Sequence, residues 1–545
     1  MMKLFGDLSV RRCYRLRRYV LALILVSVSA IAGFCGTTAG NASPSFDSGQ
    51  ITAVLGQLLA NGNAAPSKVA VADLPALRHF YKERGYGPAW VGQNGLTEDA
   101  LLARQALAHA DDEGLDPADY DDGLQVADTA QGTARYDLLL TDSFLRYARD
   151  VRLGRIAPDA VYHDVGLPVQ VFDRVSALTA ALETHTVAKL IADLPPPHAE
   201  YAQLKAALAY YRAIAAAGGW PQIPGQDELK LDGNDPRLAV LSRRLAIEDP
   251  TLMQGAPVDM GTLRDAVERF QARNGLHVDG RVGRQTLYAL NVSAPERVAQ
   301  IVANMERWRW MPRSFGPRYI AVNAADATLK VVNNGKVILT SRVIVGKPRS
   351  PTAIFAATVT AITINPYWNI PAAIARNETI PKARRHPGYL AANHIVVSSS
   401  GRLRQLPGPD NSLGQIKLEM PNRFDAYLHD TPARKLFEAD ERHLSHGCIR
   451  VEQIQPLASF ALTGDAAAGL ENIQAAIATG ANQQISLDNP LPVYVLYWTA
   501  IADQDGMVDF RSDVYGRDQK LLTALAGRHL IGPVSMNTSD QCRRA

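Results

Sequence analysis

Apolar residues recur at three- and four-residue spacing along the first half of the chain, and the period shortens toward two in the second half. The helical spacing is clear at 101–110 and 138–148. This pattern predicts a helical scaffold domain over residues 72–230. The preceding residues 43–71 are small and polar, so they are predicted to form a linker or one short helix.

A shorter helical module is predicted over residues 231–291. Leu263, Val267 and Phe270 lie on one helical face, and Asn274-Gly275 follows where a left-handed C-cap is expected. Another helical face begins near Leu287, so the module is predicted as a small three-helix domain. Residues 292–317, with Trp308 and Trp310, are predicted as a bridge to the next domain.

Strand patterns begin near Arg318, and Asn333-Asn334-Gly335 is a hairpin turn signal between two β-branched runs. A mostly β domain is therefore predicted over residues 318–518, followed by a C-terminal tail at 519–545. Within it, residues 375–420 are basic with few strands, and they are predicted as an inserted lid; a solvated basic loop is the alternative. The predicted fold class is multidomain α+β.

Composition changes this picture only at the N-terminus. The chain has 545 residues, 47% hydrophobic residues and a formal net charge of +3, so its charge gives no support for nucleic-acid binding. Basic residues precede an apolar run from Val20 to Phe34, which predicts an export segment over 1–42 with cleavage after Ala42. A retained membrane anchor is the alternative, and either leader predicts a periplasmic protein.

The strongest chemical signal is Ser445-His446-Gly447-Cys448, with His429 upstream. A nucleophilic thiol needs a base or a positive field, and His commonly supplies one. The segment thus predicts a cysteine nucleophile with a histidine partner. Two alternatives use the same thiol: a disulfide with Cys542, and a zinc site. The zinc site would need these four residues: His429, His443, His446 and Cys448. No metal or cofactor is predicted.

Several further blocks occur in order with this motif, and together they resemble the L,D-transpeptidase family, most closely its large, multidomain Gram-negative branch. The likeness runs from about Leu263 to Asp518, and residues 266–287 resemble the peptidoglycan-binding domain of bacterial wall enzymes. The matching blocks are Gly346-Lys347-Pro348 with Thr352, Ile364-Asn365-Pro366 with Trp368, Pro371, 427–431, 445–451 and 497–500.

The resemblance implies that Cys448 attacks the meso-diaminopimelate carbonyl of a tetrapeptide stem, expels D-Ala and forms a thioester, with His429 as base. It also implies that Asp430 orients His429, through either its side chain or its carbonyl. Backbone N–H groups of Gly447 and Cys448 are the expected oxyanion donors. Three groups complete the predicted site: Ser445 and His446 in supporting roles, Arg450 as a substrate-carboxylate or structural ion-pair partner, and Tyr367, Trp368 and Tyr427 along the groove.

The partners implied are donor and acceptor peptidoglycan stems and the cell-wall sacculus, and the product is a 3-3 crosslink used in wall biogenesis and cell shape. The family is also acylated by carbapenems. Transfer to water, exchange of D-amino acids and attachment of a protein to the wall are alternatives on the same thioester. A non-catalytic wall-binding scaffold is a further alternative. Module 231–291 is predicted to deliver the enzyme to the wall; packing on the catalytic domain is the alternative.

Overall fold

The computed structural model describes residues 47–60, 73–120, 129–249, 251–252, 259–503 and 506–527. The predicted export segment and Cys542 lie outside these ranges. Among the helices within them, none is both long enough and apolar enough to cross a bilayer. The multidomain α+β class predicted from the sequence is confirmed, with a helical domain, a three-helix module and a mostly β domain.

The helical domain is built around its longest helix, α4. Asp137 on α4 is buried and accepts hydrogen bonds from the backbone N–H groups of Ala89 and Trp90. α1 lies inside the segment predicted as a linker or one short helix, and its buried Leu55 shows that this helix belongs to the helical core. The elements are α1 Ser48–Ala60, α2 Leu74–Glu83, β1 Val91–Gly92, β2 Gly95–Leu96, α3 Glu98–Ala108, α4 Ala130–Leu153, α5 Pro158–Val161, β3 Val165–Gly166, α6 Arg174–Glu183, α7 Val187–Asp193 and α8 Ala199–Ala216, with 3-10 turns at Ala110–Glu113 and Pro117–Asp119.

The next four helices are α9 Leu238–Ala246, α10 Met260–Arg273, α11 Arg284–Asn291 and α12 Ala294–Arg309. The first three form the predicted module around their own apolar core, and Gly275, at φ +63°, closes α10 as expected. α12 occupies the predicted bridge, yet Trp308 stacks on Trp498 with ring centroids 4.4 Å apart. α8 and α12 pack into the core of the β domain, so the bridge is a buried helix and not a free linker.

The module also contacts the β domain directly. Arg511 donates to the carbonyl of Arg273 at 2.8 Å, and His277 lies 3.1 Å from Asp440. These contacts favour the packing alternative over a free tether.

The β domain is one twisted sheet that closes on itself. The order is β11-β12-β14-β6-β5-β4-β15-β7, and β11 pairs again with β7. β5 and β6 form the predicted hairpin, with Asn334 at φ +51° and Gly335 at φ +74° in the turn. The strands are β4 Arg318–Asn323, β5 Thr328–Asn333, β6 Lys336–Gly346, β7 Ile354–Ile364, β11 Ile416–Glu419, β12 Leu428–His429, β13 His443–Ser445, β14 Ile449–Val451 and β15 Gln483–Leu496, with β16 Ala500–Ala502 and β17 Val508–Phe510 as a separate pair.

The helical domain contributes a strand to this sheet, because β3 pairs in parallel with β7 through Val165 opposite Ile354. Arg423, on the loop before β12, donates to the carbonyl of Val165. A domain boundary drawn by helical periodicity alone could not show this pairing, since β3 has only two residues.

The segment predicted as a lid carries short helices and two strands of a small three-stranded sheet, whose third strand, Trp368–Asn369, lies just before the segment. Its last part is not an insertion, because Ile416–Glu419 is β11, a central strand whose Ile416 and Leu418 are buried. The predicted tail likewise begins within a helix that buries Leu521. The remaining elements of the β domain, including those of the two segments, are β8 Trp368–Asn369, α13 Ala372–Ile374, one turn of π-helix Ala375–Thr379 (the π-turn), α14 Ile380–Arg385, α15 Tyr389–Ala392, β9 Ile395–Val397, β10 Leu403–Gln405, a 3-10 turn Arg434–Glu438, α16 Ile454–Thr463, α17 Leu470–Ala478 and α18 Arg517–Ala526.

Candidate active site

The loop that carries Cys448 joins β13 to β14 and is held by two hydroxyl groups. Ser445 Oγ donates to the carbonyl of Cys448 at 2.6 Å and accepts the N–H of Gly447 at 3.1 Å. Thr352 Oγ1 donates to the carbonyl of Gly447 at 2.9 Å and accepts the N–H of Gly346 at 2.8 Å. Gly447 has φ +117°, which favours glycine. The loop is therefore a fixed turn.

His429 lies on β12, which is hydrogen-bonded to β14 in parallel. Leu428 opposes Ile449, and both are buried in the sheet core. Since side chains alternate along a strand, His429 and Arg450 project from the other face. Cys448 precedes Ile449, whose N–H donates to the carbonyl of Tyr427 at 3.1 Å. The register thus brings the thiol and the imidazole to one face of the sheet.

The imidazole of His429 is buried and oriented by main chain. Its Nδ1 lies 2.5 Å from the carbonyl oxygen of Asp430. Because a carbonyl only accepts, Nδ1 must carry the proton, and Nε2 keeps its lone pair. The Asp430 carboxylate is used elsewhere: it accepts the N–H of Gln415 at 3.0 Å and pairs with Arg434 at 3.2 Å.

Burial, and next the charge of Arg450, lower the pKa of His429 to about 3. The imidazole is therefore neutral at physiological pH, which is the form that can accept a proton.

Cys448 is a free, partly exposed thiol. Burial of its sulfur raises its pKa, while hydrogen bonds from the backbone and side chain of Tyr427, and the charges of Lys417 and Arg450, act in the opposite direction. The Tyr427 ring stands edge-on to the His429 ring, with centroids 5.5 Å apart. Tyr427 thus contacts both members of the pair.

The other predicted groove residues separate into two groups. Trp368 belongs to the site: burial, the main cause, raises the pKa of Tyr427, and a hydrogen bond with Trp368 acts in the opposite direction. Tyr367 is more peripheral: it is exposed and lies under Arg404 at 5.3 Å. The guanidinium of Arg450 has no carboxylate partner within the described ranges, and its Nε is buried without a hydrogen bond.

His446 is exposed and points to the inserted segment. Its Nε2 lies 2.6 Å from Glu378 Oε1, on the π-turn, and 3.1 Å from Lys347 Nζ. His443 turns the other way, with Nε2 2.9 Å from the carbonyl of Ala324. The histidines of the alternative zinc site therefore do not converge, and no metal-binding cluster of three side chains occurs in the described part of the chain.

The expected oxyanion donors are not equivalent. The N–H of Gly447 is taken by Ser445 Oγ, as described above. The N–H of Cys448 has no acceptor among the described residues.

Sequence reasoning missed Lys417 on β11. It pairs in register with His429, and its Nζ lies 4.4 Å above the Tyr427 ring. The alternation of Ile416 and Leu418 around Lys417 is a usable strand signal, although the basic composition of 375–420 favours a lid there.

Such a site, a thiol and a neutral imidazole on one face of a closed sheet, is able to perform nucleophilic acyl chemistry. Residues 317–473 match the family profile described as "L,D-transpeptidase catalytic domain". Residues 75–208 match one described as "Scaffold domain", and residues 261–290 match "Putative peptidoglycan binding domain". Residues 317–473 and 261–290 thus match the two kinds of domain recognised from the sequence, and the resemblance to L,D-transpeptidases is confirmed.

A protein of Haemophilus influenzae described as "Putative L,D-transpeptidase" is 29% identical over 289 residues, which cover 48% of this chain and 57% of that protein. The chain thus spans little more than half the length of this relative. Two solved L,D-transpeptidases are each 16% identical: one of Mycobacterium tuberculosis, with TM-score 0.16, covering 33% of this chain and 61% of its own, and one of Stackebrandtia nassauensis, with TM-score 0.20, covering 51% and 96%.

Proposed function

We propose that this protein is a peptidoglycan L,D-transpeptidase that works through a thioester on Cys448. The observation that carries the proposal is the position of Cys448 and neutral His429 on one face of the sheet, inside the segment that matches the catalytic domain. The donor substrate is a tetrapeptide stem, and the scissile bond joins meso-diaminopimelate to the terminal D-Ala.

In the first half-reaction the sulfur of Cys448 attacks the meso-diaminopimelate carbonyl carbon. His429 Nε2 takes the thiol proton and then gives it to the leaving amine of D-Ala, so a C–S bond forms as the C–N bond breaks. In the second half-reaction an acceptor amine attacks the thioester and loses a proton to His429. The C–S bond breaks, and the thiol recovers its proton. A diaminopimelate acceptor gives a 3-3 crosslink.

Each tetrahedral intermediate carries a negative oxygen that needs donors, and losing one donor costs about 10²- to 10³-fold in rate. The unpaired N–H of Cys448 supports its role as the first donor. The Tyr427 hydroxyl, placed beside the thiol, is the second candidate. Gly447 then serves by shaping the turn, with its N–H held by Ser445.

Arg450 is proposed to receive a carboxylate of the donor stem. Its guanidinium is half-buried without a counter-ion among the described residues, and a bound carboxylate would supply both the charge and the acceptors that it lacks. Trp368 and Tyr427 are proposed to form the adjoining wall of the groove. The inserted segment, fixed to the catalytic loop through Glu378 and His446, is proposed to cover the site.

Peptidoglycan lies outside the cytoplasm, so this function requires export, which the predicted segment 1–42 would provide. The module at 231–291 is proposed to contact the wall while it remains packed on the catalytic domain. Its match to a peptidoglycan-binding profile supports this role.

The test uses the reduced full chain with a purified disaccharide tetrapeptide. We expect a Cys448 adduct of the stem without D-Ala in the intact mass, and a 3-3 dimer among the products. The Cys448→Ala variant and a tripeptide stem, which lacks the leaving D-Ala, are the matched controls. If the products contain free tripeptide stem but no dimer, the acyl acceptor is water and the protein is a hydrolase. If no adduct of Cys448 forms, the thioester mechanism is refuted.

A further inference from the structure

His429 stands between two cations in a row that crosses three strands. On one side it opposes Lys417 of β11, and on the other it opposes Arg450 of β14. Directly opposed residues of paired strands project to the same face of a sheet. The imidazole therefore has a positive side chain on each neighbouring strand.

Lys417 is held in this row by several contacts. Its Nζ pairs with Glu419 at 2.8 Å and sits 4.4 Å above the Tyr427 ring. Glu419 in turn accepts a hydrogen bond from the Thr363 hydroxyl at 2.8 Å. The ammonium is thus placed by its surroundings before any substrate binds.

The charges around the His429–Cys448 pair leave a positive balance. Glu419 is the carboxylate nearest in sequence to Lys417, and it lies two residues along the same strand. Asp430 directs its carboxylate to Gln415 and Arg434. The titratable and charged groups that adjoin the pair are Lys417 and Glu419 on β11, Tyr427 and Asp430 at the two ends of β12, Arg434 in the following turn, and Arg450 on β14.

We propose that Lys417 is a positioning residue that acts through His429 and Cys448, by keeping the resting imidazole uncharged. The resting pair is then a neutral thiol and a neutral imidazole, and the proton moves only as the carbonyl carbon is attacked. A resting thiolate–imidazolium pair is disfavoured, because it would place a third positive charge between Lys417 and Arg450. The inference rests on the proposed function, since it assigns a role within that reaction.

The low pKa of His429 agrees with this arrangement: burial is the first cause, Arg450 the second, and Lys417 acts in the same direction against hydrogen bonds to the backbone of Asp430 and Leu413. The same two cations act to lower the thiol pKa that burial raises. They therefore favour thiolate and oppose imidazolium at the same time.

The test follows alkylation of Cys448 by iodoacetamide from pH 5 to 10 in the full chain, by peptide mass, and needs no turnover. For the natural protein we expect one alkaline inflection, with a rate that falls about tenfold per pH unit below it. A rate plateau across neutral pH would reveal a resting ion pair and overturn the proposal.

The variants give the direction of the effect. Lys417→Met should raise the inflection by about one pH unit, Lys417→Arg should restore it, and Glu419→Gln should lower it. Lys336→Met, on the exposed hairpin, is the matched control and should leave it unchanged. Equal profiles for Lys417→Met and the natural protein would refute the role, and the Arg variant excludes a folding defect as the cause of a shift. If these shifts occur but no crosslinks form, the proposed function fails while the role of Lys417 in the pair stands.

Discussion

Asp430 offers two different acceptors to its surroundings, its backbone carbonyl and its carboxylate, and substitutions of the side chain separate their roles. Its backbone carbonyl contacts His429 Nδ1 at 2.5 Å, whereas its carboxylate contacts the Gln415 N–H and Arg434. Asp430→Asn keeps the carbonyl and one side-chain oxygen, which can still accept the Gln415 N–H, while the negative charge and the second acceptor oxygen are lost. Asp430→Ala removes the side-chain acceptor altogether and still keeps the carbonyl.

The structure gives the expected size of each effect on the unfolding free energy and on the acylation rate. The Arg434 side chain is 51% exposed, so losing this ion pair costs about 0.5–1 kcal/mol of unfolding free energy. Asp430→Ala also leaves the Gln415 N–H unpaired, which costs about 1–3 kcal/mol. Acylation of Cys448 should stay within about threefold in both variants, because the main chain orients the base. Loss of a general base would cost about 10²- to 10⁴-fold.

The assay measures acylation of Cys448 by a carbapenem, followed as an intact-mass adduct, together with denaturant unfolding of each variant. His429→Ala is the reference for a lost base. If Asp430→Asn is acylated about 100-fold more slowly while remaining folded, the carboxylate orients His429, and the role given to the backbone carbonyl is wrong.

Four further outcomes are expected. Cys448→Ser should keep the unfolding free energy of the natural protein but give no thioester in intact-mass spectra; full activity would contradict a thiol mechanism. His446→Ala should slow acylation far less than His429→Ala, and the reverse order would show that the base is misassigned. The pKa of His429 is lowered to about 3, so an unfolded chain takes up a proton near pH 6.5 that the folded chain refuses. The contribution of neutral His429 to the free energy of unfolding should therefore be fully present above pH 6.5 and should fall by up to about 1.4 kcal/mol per pH unit toward pH 3. The His429→Gln variant should lack this slope when unfolding is measured as a function of pH. Deleting 231–291 should impair turnover of a soluble tetrapeptide as well as of sacculi, because Arg511 loses the carbonyl of Arg273 to which it donates. Unchanged turnover of the soluble tetrapeptide would instead support a module that only delivers the enzyme to the wall.

Local sequence rules predicted what depends on neighbours in the chain. The Asn334-Gly335 turn, the Gly275 cap and the strands around them follow from backbone preferences of a few residues. The catalytic motif was equally visible, because Cys448 and its neighbours are contiguous.

What could not be predicted depends on pairing between distant segments. β12 and β14 have two and three residues, too few for a periodic signal, and they are strands only because they pair with each other and with their neighbours. The place of Lys417 beside His429 follows from that register. Similarly, the contact of Glu378 with His446 joins residues 68 positions apart, and no spacing rule reports it.

The strand that the helical domain lends to the catalytic sheet has a practical consequence for producing the protein. Where β3 pairs with β7, the N–H of Ile354 donates to the carbonyl of Asp164 at 2.9 Å. A chain shortened to begin after the helical domain would present this stretch of β7 as a bare edge of unpaired backbone groups. Bare edges recruit strands from other molecules. Such a fragment would be expected to self-associate and precipitate, so recombinant preparations should retain the segment around Val165 even when only catalysis is of interest.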